Sequence, residues 1–127
     1  MLLYTFCSTF LSTHIFYRYF PCFPPISTHF HSLFSYFQQW EAHDSPITTL
    51  NCTPRHPLLL SGDSLGLVRL WSPSLATPLA TLRAHSGPVR CAQSLDATTL
   101  LTGGASDGAV LLWDLRNTTE PIGAIIN

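Results

Sequence analysis

The sequence predicts an all-β fold in which two four-stranded antiparallel sheets follow an irregular or disordered N-terminal segment. Three observations predict it. Residues 42–72 align without a gap with residues 84–114, and 11 of the 31 aligned pairs are identical. A repeat of about 40–45 residues is typical of a propeller blade or a helical solenoid unit. Pro and Gly interrupt each unit at close spacing, and its short apolar runs of four to six residues favour strands over helices.

Each repeat, at about residues 42–83 and 84–127, supplies four predicted strands. The first strands are residues 46–52 and 88–94, the second 58–62 and 100–104, the third 67–71 and 109–113, and the fourth 77–83 and 120–126. Gly66 and Gly108 precede the third strands, in turns where glycine supplies a positive φ without strain. Residues 38–40 are predicted to be the fourth strand of a preceding sheet.

Residues 1–39 differ in composition from the rest of the chain. They hold all eight Phe and all four Tyr, and from Met1 to Phe37 there is no Gly, Ala, Val, Asp, Glu, Lys, Asn or Gln. Codons beginning with G encode five of these missing types, whereas pyrimidine-rich codons encode most of the residues present. We therefore expect a disordered tail or the translation of a non-coding stretch. A membrane or targeting segment is the alternative, although His14, Arg18 and Pro21 interrupt its apolar run.

A histidine lies 28 residues before a tryptophan in both repeats, as His43 and Trp71 and again as His85 and Trp113. Each tryptophan is the next-to-last residue of a similar stretch, which reads LLLSGDSLGLVRLWS in the first repeat and LLTGGASDGAVLLWD in the second. Together these features resemble the WD40 repeat of β-propellers, over about residues 40–127. The resemblance implies an incomplete propeller of two blades.

The resemblance also implies a buried network in each blade that joins a His, a Ser or Thr, an Asp and a Trp. The ungapped alignment assigns the structural positions His43, Ser61 and Trp71 in the first repeat and His85, Asp107 and Trp113 in the second. Leu65 then stands where the first Asp is expected, and Gly103 where the second Ser or Thr is expected. Because an unpaired buried polar group costs about 1–3 kcal/mol, we expect two incomplete networks, with His43 the looser histidine.

The function that the resemblance implies is a non-enzymatic scaffold or adaptor that binds other proteins. The sequence of Trp113, Asp114, Leu115 and Arg116 also resembles a box found in propellers that dock onto the adaptor of cullin-RING ubiquitin ligases. In such a substrate receptor, Asp114 and Arg116 would lie at the partner, and the guanidinium would bind a carboxylate. The alternative is that both side chains cap the end of a strand at the solvent.

A serine hydrolase is the rival class of function, because residues 62–66 and 104–108 both match the pattern G-x-S-x-G. A nucleophile such as Ser64 needs a strand-to-helix turn, an oriented His and an oxyanion hole. The motif instead recurs at one repeat position between two predicted strands, which indicates turn geometry. No catalytic or cofactor-binding residue is therefore assigned.

Composition excludes several other partners. Six Arg, no Lys and seven acidic residues give a formal charge of −1, so nothing favours nucleic acid or an acidic membrane. The four cysteines form no CxxC pair, and a reducing compartment is expected, the cytoplasm with the nucleus as the alternative. His43, His56 and His85 have no metal-ligand spacing, and the acceptor patterns at Asn51 and Asn117 are attributed to chance.

Two blades do not close a ring, since propellers contain about 4–8. We expect the pair to bury residues 58, 60, 68 and 70 against residues 89, 101, 110 and 112, and to leave the outer faces bare. The sequence therefore predicts either a fragment or half of an assembly that another chain completes, and poor solubility for the isolated polypeptide.

Overall fold

The computed structural model describes residues 4–11, 13–21, 36–53, 58–72, 75 and 77–126. These residues form eleven strands in three antiparallel sheets, and none of them is helical. The strands β1 (Tyr4–Leu11), β2 (His14–Pro21) and β3 (Tyr36–Glu41) form the N-terminal sheet. Blade 1 consists of β4 (Ile47–Cys52), β5 (Leu59–Asp63), β6 (Leu67–Trp71) and β7 (Ala80–Arg83). Blade 2 consists of β8 (Val89–Ser94), β9 (Thr99–Gly104), β10 (Ala109–Asp114) and β11 (Gly123–Ile126).

The two predicted four-stranded sheets are confirmed. Each is an up-and-down meander in the order of the chain, with β4 and β8 at one edge and β7 and β11 at the other. The first three strands of each repeat agree with the prediction to within one residue at either end, and each fourth strand begins three residues later than predicted. Pro78 and Pro121 lie in the stretches lost from the fourth strands, where proline donates no ladder hydrogen bond.

The turns before the third strands depend on glycine. Gly66 has a φ of 94° and Gly108 a φ of 63°, in the left-handed region that side chains with a Cβ disfavour. A Cβ at Gly66 would also collide with the backbone carbonyl of His85, where blade 2 begins. This turn therefore fixes both the β5–β6 hairpin and the approach of the next blade.

The blades stack face to face through one apolar core. Leu60, Val68, Leu70 and Leu82 of blade 1 pack with residues of blade 2, of which the central ones are Val89, Ala92, Leu100 and Trp113. Strand β8 lies against β4, β5 and β6. The side chains of Thr48 and Asn51 add hydrogen bonds to the backbone carbonyls of Val89 and Ala92, at 2.7 and 3.1 Å.

One part of the predicted packing is wrong. Leu101, Val110 and Leu112 do not face blade 1; in the register of β9 and β10 they lie on the opposite side from Leu100 and Trp113. The reason is that equivalent residues of stacked repeats point in the same direction. The residues of blade 2 that match Leu60, Val68 and Leu70 therefore point away from blade 1.

The N-terminal sheet was predicted only in its last strand. Strand β3 includes residues 38–40 and ends a preceding sheet, as expected, whereas β1 and β2 form an antiparallel pair that composition did not indicate. Ile15 and Trp40 pack on Ile47, Leu59 and Trp71 of blade 1. The hypothesis on the coding origin of residues 1–39 stays a prediction, and residues 1–3, 12 and 22–35 lie outside the described residues.

The N-terminal sheet joins blade 1 in the same way that blade 1 joins blade 2. The backbone N–H groups of Ala42 and His43 donate to the carbonyl of Thr13, and those of Ala84 and His85 donate to the carbonyl of Gly66. Strands β1, β2 and β3 therefore correspond to the second, third and fourth strands of a blade. No described residue supplies a counterpart of β4 or β8 in this sheet.

Candidate functional site

A continuous chain of hydrogen bonds runs through the interior of blade 1. The indole Nε1–H of Trp71 donates to the hydroxyl of Ser61 at 2.8 Å. That oxygen lies 2.7 Å from Nε2 of His43, and the Nδ1 of His43 lies 3.0 Å from the Oδ2 of Asp63. Asp63 accepts two more bonds, from the backbone N–H groups of Leu65 and Leu67. The carboxylate therefore ties the histidine to the β5–β6 turn.

Blade 2 contains the same arrangement. Trp113 donates to the hydroxyl of Thr102 at 3.0 Å, and Nε2 of His85 lies 3.0 Å from the same oxygen. The Nδ1 of His85 lies 2.9 Å from Asp107, which also accepts the backbone N–H of Ala109. The predicted positions His43, Ser61 and Trp71, and His85, Asp107 and Trp113, thus lie in two separate four-residue networks.

The expectation that each network lacks a member is wrong. Asp63 supplies the carboxylate that was expected to be missing at Leu65, and Thr102 supplies the hydroxyl that was expected to be missing at Gly103. The β5–β6 hairpin has one residue fewer than the β9–β10 hairpin between the hydroxyl residue and Trp, so the ungapped period slips by one there. The stretches LLSG at 59–62 and LLTG at 100–103 show the correct match, and two compensating one-residue gaps, one before these stretches and one after them, would have found it.

The expected difference between the two histidines is not observed, because the side chains of His43 and His85 are both fully buried. The two carboxylates differ instead. Asp63 is buried, whereas Asp107 reaches the surface. The sheltered carboxylate in blade 1 belongs to a strand residue, while Asp107 belongs to the turn, and this difference in position accounts for the difference in burial.

Both networks are satisfied with neutral histidines. The tryptophan donates to the hydroxyl, the hydroxyl donates to Nε2, and Nδ1–H donates to the carboxylate, so every donor in the network has an acceptor. Burial lowers the pKa of His43 below its ordinary value of 6.5, and the carboxylate of Asp63 only partly opposes this shift. The backbone N–H of Ala109, followed by the donors of His85 and Ser86, lowers the pKa of Asp107. The arrangement orders the fold and offers no open position for a substrate.

A pH dependence follows for His43. Because its pKa is lowered in the folded protein from 6.5, the unfolded chain takes up a proton first, and the free energy of unfolding falls as the pH drops through that value. Urea unfolding between about pH 7.5 and pH 5.5 measures this loss. We expect His43→Gln to flatten the dependence, and an unchanged slope in that variant would contradict the assignment.

One end of the blades, which we call the turn end, consists of residues 43–46, 63–66, 84–88 and 105–108. Backbone bonds hold it together: Ser64 N–H donates to the carbonyl of Pro46, and Ala105 N–H to that of Pro88. The Asp side chains of both networks anchor the hairpin turns at this end. Leu65 lies at the tip of the β5–β6 turn and is 69% exposed. Asp44, Ser86, Ala105 and Ser106 are also exposed here.

Asp114 is the last residue of β10, and Arg116 follows it in the connection to β11, at the opposite end from the turns. The Nη2 of Arg116 donates to Oδ2 of Asp114 at 2.6 Å, and its Nε lies 3.0 and 3.1 Å from the two carboxylate oxygens. This pairing lowers the pKa of Asp114 to about 2. The side chain of Arg116 is nevertheless 76% exposed. The pair therefore caps the strand end and presents a guanidinium to the solvent.

The hydrolase motif lies in a tight turn. Ser64 follows β5 directly and Ser106 lies two residues after the end of β9, and a strand comes after each turn instead of a helix. Both ring nitrogens of His43 and of His85 are occupied by their own networks. The geometry thus gives neither serine the strand-to-helix turn of a nucleophile.

The other sequence motifs also fall on ordinary surface or strand positions. Asn51 bonds to blade 2 through its amide, and Asn117 accepts a bond from the Thr119 hydroxyl at 2.6 Å. The described residues contain no group of three or more potential metal ligands, and His56 lies outside them. A membrane-spanning helix is likewise absent from the part of the chain that the structure describes.

Comparison with known proteins gives one consistent result. The model of the family described as WD domain, G-beta repeat matches residues 34–72 and 76–114. Human kinesin-like protein KIF21A is 32% identical over 76 residues, which are 60% of this chain and 4% of that protein. Polyadenylation factor subunit 2 of Candida albicans is 36% identical over 81 residues, 63% of this chain and 14% of that protein. Human WD repeat-containing protein 46 is 34% identical over 77 residues, 60% of this chain and 12% of that protein.

Solved structures agree on the fold. The C-terminal WD40 domain of Sif2 superposes with a TM-score of 0.66 at 21% identity, over 90% of this chain and 29% of that one. A chain of the mitotic checkpoint complex gives a TM-score of 0.64 at 16% identity, over 94% of this chain and 38% of that one. Against the three sequence relatives, the chain spans at most 14% of their length.

Proposed function

Because the chain belongs to the WD40, G-beta repeat family, whose members generally act as protein-interaction scaffolds, we propose that it binds another protein through the turn end. The interaction is non-enzymatic in this proposal. The observation that supports it is an exposed apolar side chain on a fixed backbone. The networks of His43 and His85 hold the turns in place, and Leu65, at the tip of the β5–β6 turn, is 69% exposed.

The rigidity of this end supports binding. A surface that is already ordered loses little conformational entropy when a partner docks, so more of the contact energy appears as affinity. The turn end also exposes the short polar side chains of Ser86 and Ser106 and the carboxylate of Asp44. An exposed apolar anchor with a polar surround is the usual centre of a protein interface.

The experiment compares two leucines that are exposed on opposite ends of the blades. Leu65→Asp changes the turn end, and Leu95→Asp changes the β8–β9 turn, where Leu95 is 56% exposed. Proteins crosslinked to the full chain in cells are quantified for the wild type and both variants. We expect Leu65→Asp to lose specific partners that Leu95→Asp retains, at equal thermal stability. Equal partner sets in all three proteins would reject the turn end.

A second candidate, a substrate receptor for a cullin-RING ubiquitin ligase, is favoured by the exposed guanidinium of Arg116. The test uses the purified ligase adaptor and the full chain. Binding that is lost in Arg116→Ala and kept in Arg90→Ala, which changes an exposed arginine on β8, would support this role. Absence of binding by the wild type would exclude it.

A further inference from the structure

The two connections that lead into the blades differ in the sign of their charge. Glu41 ends β3, Asp44 lies in the connection from β3 to β4, and both acidic side chains are exposed. Arg83 ends β7, Arg90 is the second residue of β8, and both basic side chains are exposed as well. Neither stretch contains another Asp, Glu, Lys or Arg. The turn end is therefore acidic where the chain enters blade 1 and basic where it enters blade 2.

The opposite charges lie on the same backbone framework. In the repeat of 42 residues, Glu41 corresponds to Arg83 and Thr48 corresponds to Arg90. The register of β8 shifts at Arg90, and that of β4 shifts at Thr48. A β-bulge of this kind turns the extra residue out of the regular alternation of the strand. The backbone thus repeats from one connection to the next, and only the side chains change the charge.

The four charged side chains are free to meet a partner. Among the described residues, Glu41, Asp44, Arg83 and Arg90 have no side-chain hydrogen bond or ion pair. Asp107 also lies at this end, but its carboxylate accepts bonds from three donors of blade 2 and is only partly exposed. The charge that the turn end offers to a partner therefore comes from the two connections.

The β5–β6 turn lies between the two connections. The backbone N–H of Ser64 donates to the carbonyl of Pro46 at 2.9 Å, and the carbonyl of Gly66 accepts the backbone N–H of Ala84 at 3.0 Å. Leu65 is the residue between these two contacts. The N-terminal sheet and blade 2 pack on either side of blade 1, so this side chain is exposed although both neighbouring sheets are in place. An apolar side chain thus separates the acidic connection from the basic one.

We propose that the turn end binds a peptide segment in which an apolar residue separates acidic residues from basic ones, with the acidic residues over the connection into blade 2. The proposal rests on the proposed function, because it specifies the partner of the same surface. The apolar residue contacts Leu65. Carboxylates of the segment pair with Arg83 and Arg90, whose guanidinium groups suit bidentate contacts, and its cations pair with Glu41 and Asp44.

The arrangement selects against other partners as well as for this one. A segment with acidic residues on both sides of its apolar residue would place like charges over Glu41 and Asp44, and a segment with basic residues on both sides would do so over Arg83 and Arg90. Like charges across an interface lower the affinity for the wrong partner. The order of charges in the segment therefore fixes the direction in which it lies.

Fluorescence anisotropy of labelled peptides with the full chain tests the charge pattern. The mixed peptide is Asp-Asp-Gly-Leu-Gly-Lys-Lys, and its controls carry Asp on both sides, Lys on both sides, or Ser in place of Leu. We expect the mixed peptide to bind at least about tenfold more tightly than each control, since each control loses attractive contacts or gains like charges. Its affinity should fall as the salt concentration rises.

Charge reversal on the protein provides a test that misfolding cannot imitate. Arg83→Glu combined with Arg90→Glu makes both connections acidic, and this variant should lose the mixed peptide and bind the peptide with Lys on both sides instead. A gain of binding requires a folded surface. Arg116→Glu, which changes an exposed arginine at the opposite end, is the control and should keep the preference of the wild type.

A photoreactive group at either end of the mixed peptide reports its direction. The acidic end should crosslink to residues 83–90 and the basic end to residues 41–46, as read by peptide mapping. Equal crosslinking of both ends to both connections, or the reverse assignment, would overturn the proposal.

Leu65→Asp distinguishes the failure of this proposal from the failure of the proposed function. Peptide binding that needs Leu65 but is indifferent to the flanking charges would keep the turn end as a binding surface and reject the charge pattern. The same holds if cellular partners that are lost from Leu65→Asp remain bound to the variant with both arginines reversed. If Leu65→Asp keeps every cellular partner, the proposed function itself fails. Absence of binding of the mixed peptide to the wild type would overturn the charge pattern directly.

Discussion

Asp63→Ala is expected to lower the free energy of unfolding by about 3 kcal/mol, because a buried hydrogen-bond donor left without its acceptor costs about 1–3 kcal/mol. Asp63 is 1% exposed, and its carboxylate holds His43 and the backbone N–H groups of Leu65 and Leu67. The variant leaves all three donors without this acceptor in the interior. Equilibrium urea unfolding of the full chain measures the loss.

Leu65→Ala is the matched control, because an ungapped reading of the repeat places the acidic member of the network at that position. Its side chain lies in solvent, and we expect a change within about 0.5 kcal/mol. Asp107→Ala should fall between the two, since Asp107 occupies the same role at a partly exposed site. Equal effects at positions 63 and 65 would show that Asp63 is not the network member.

Leu60→Ala is expected to cost about 2–5 kcal/mol, as for other fully buried leucines. Leu60 lies in the core between the two blades, among Val68, Leu82 and Val89. Its removal leaves a cavity that the rigid sheets on both sides cannot fill. Chemical unfolding in dilute solution gives the difference from the wild type.

Leu101→Ala provides the comparison, because Leu101 has the same place in blade 2 but lies on the side that faces away from blade 1, where it is half-buried. We expect this variant to lose less than about 1.5 kcal/mol. A loss as large as that of Leu60→Ala would mean that the free chain covers Leu101 in some other way, and would contradict the stacking described for the two blades.

Most of the fold can be predicted from the sequence because the features that mark the strands are local. Proline and glycine mark the ends of the strands, and the period of 42 residues sets their order, so both sheets were predictable with nearly correct bounds. The N-terminal sheet was not, since no glycine or proline separates β1 from β2. This sheet packs on the neighbouring blade through Ile15 and Trp40.

The ungapped alignment of the two repeats did not identify every residue of the hydrogen-bond networks. Side chains alternate between the two faces of a strand, so a slip of one residue exchanges a buried position for its neighbour on the other face. That slip placed Gly103 at the position that belongs to Thr102. Asp63 was missed for another reason: blade 2 has Gly104 at the matching position and takes its carboxylate from Asp107 in the turn. The same alternation explains why Leu101 and Leu112 were predicted on the wrong face, since only the stacking direction decides which face is covered.

The central claim is that two equivalent and complete networks lock the stacked blades into a rigid platform. Hydrogen exchange of the tryptophan indole N–H groups, followed by NMR, tests it most directly, because the chain has three tryptophans. We expect the signals of Trp71 and Trp113 to exchange slowly and together, through unfolding of the blades, and more slowly than that of Trp40, whose Nε1 has no partner among the described residues. Rapid exchange at either Trp71 or Trp113 would contradict the claim.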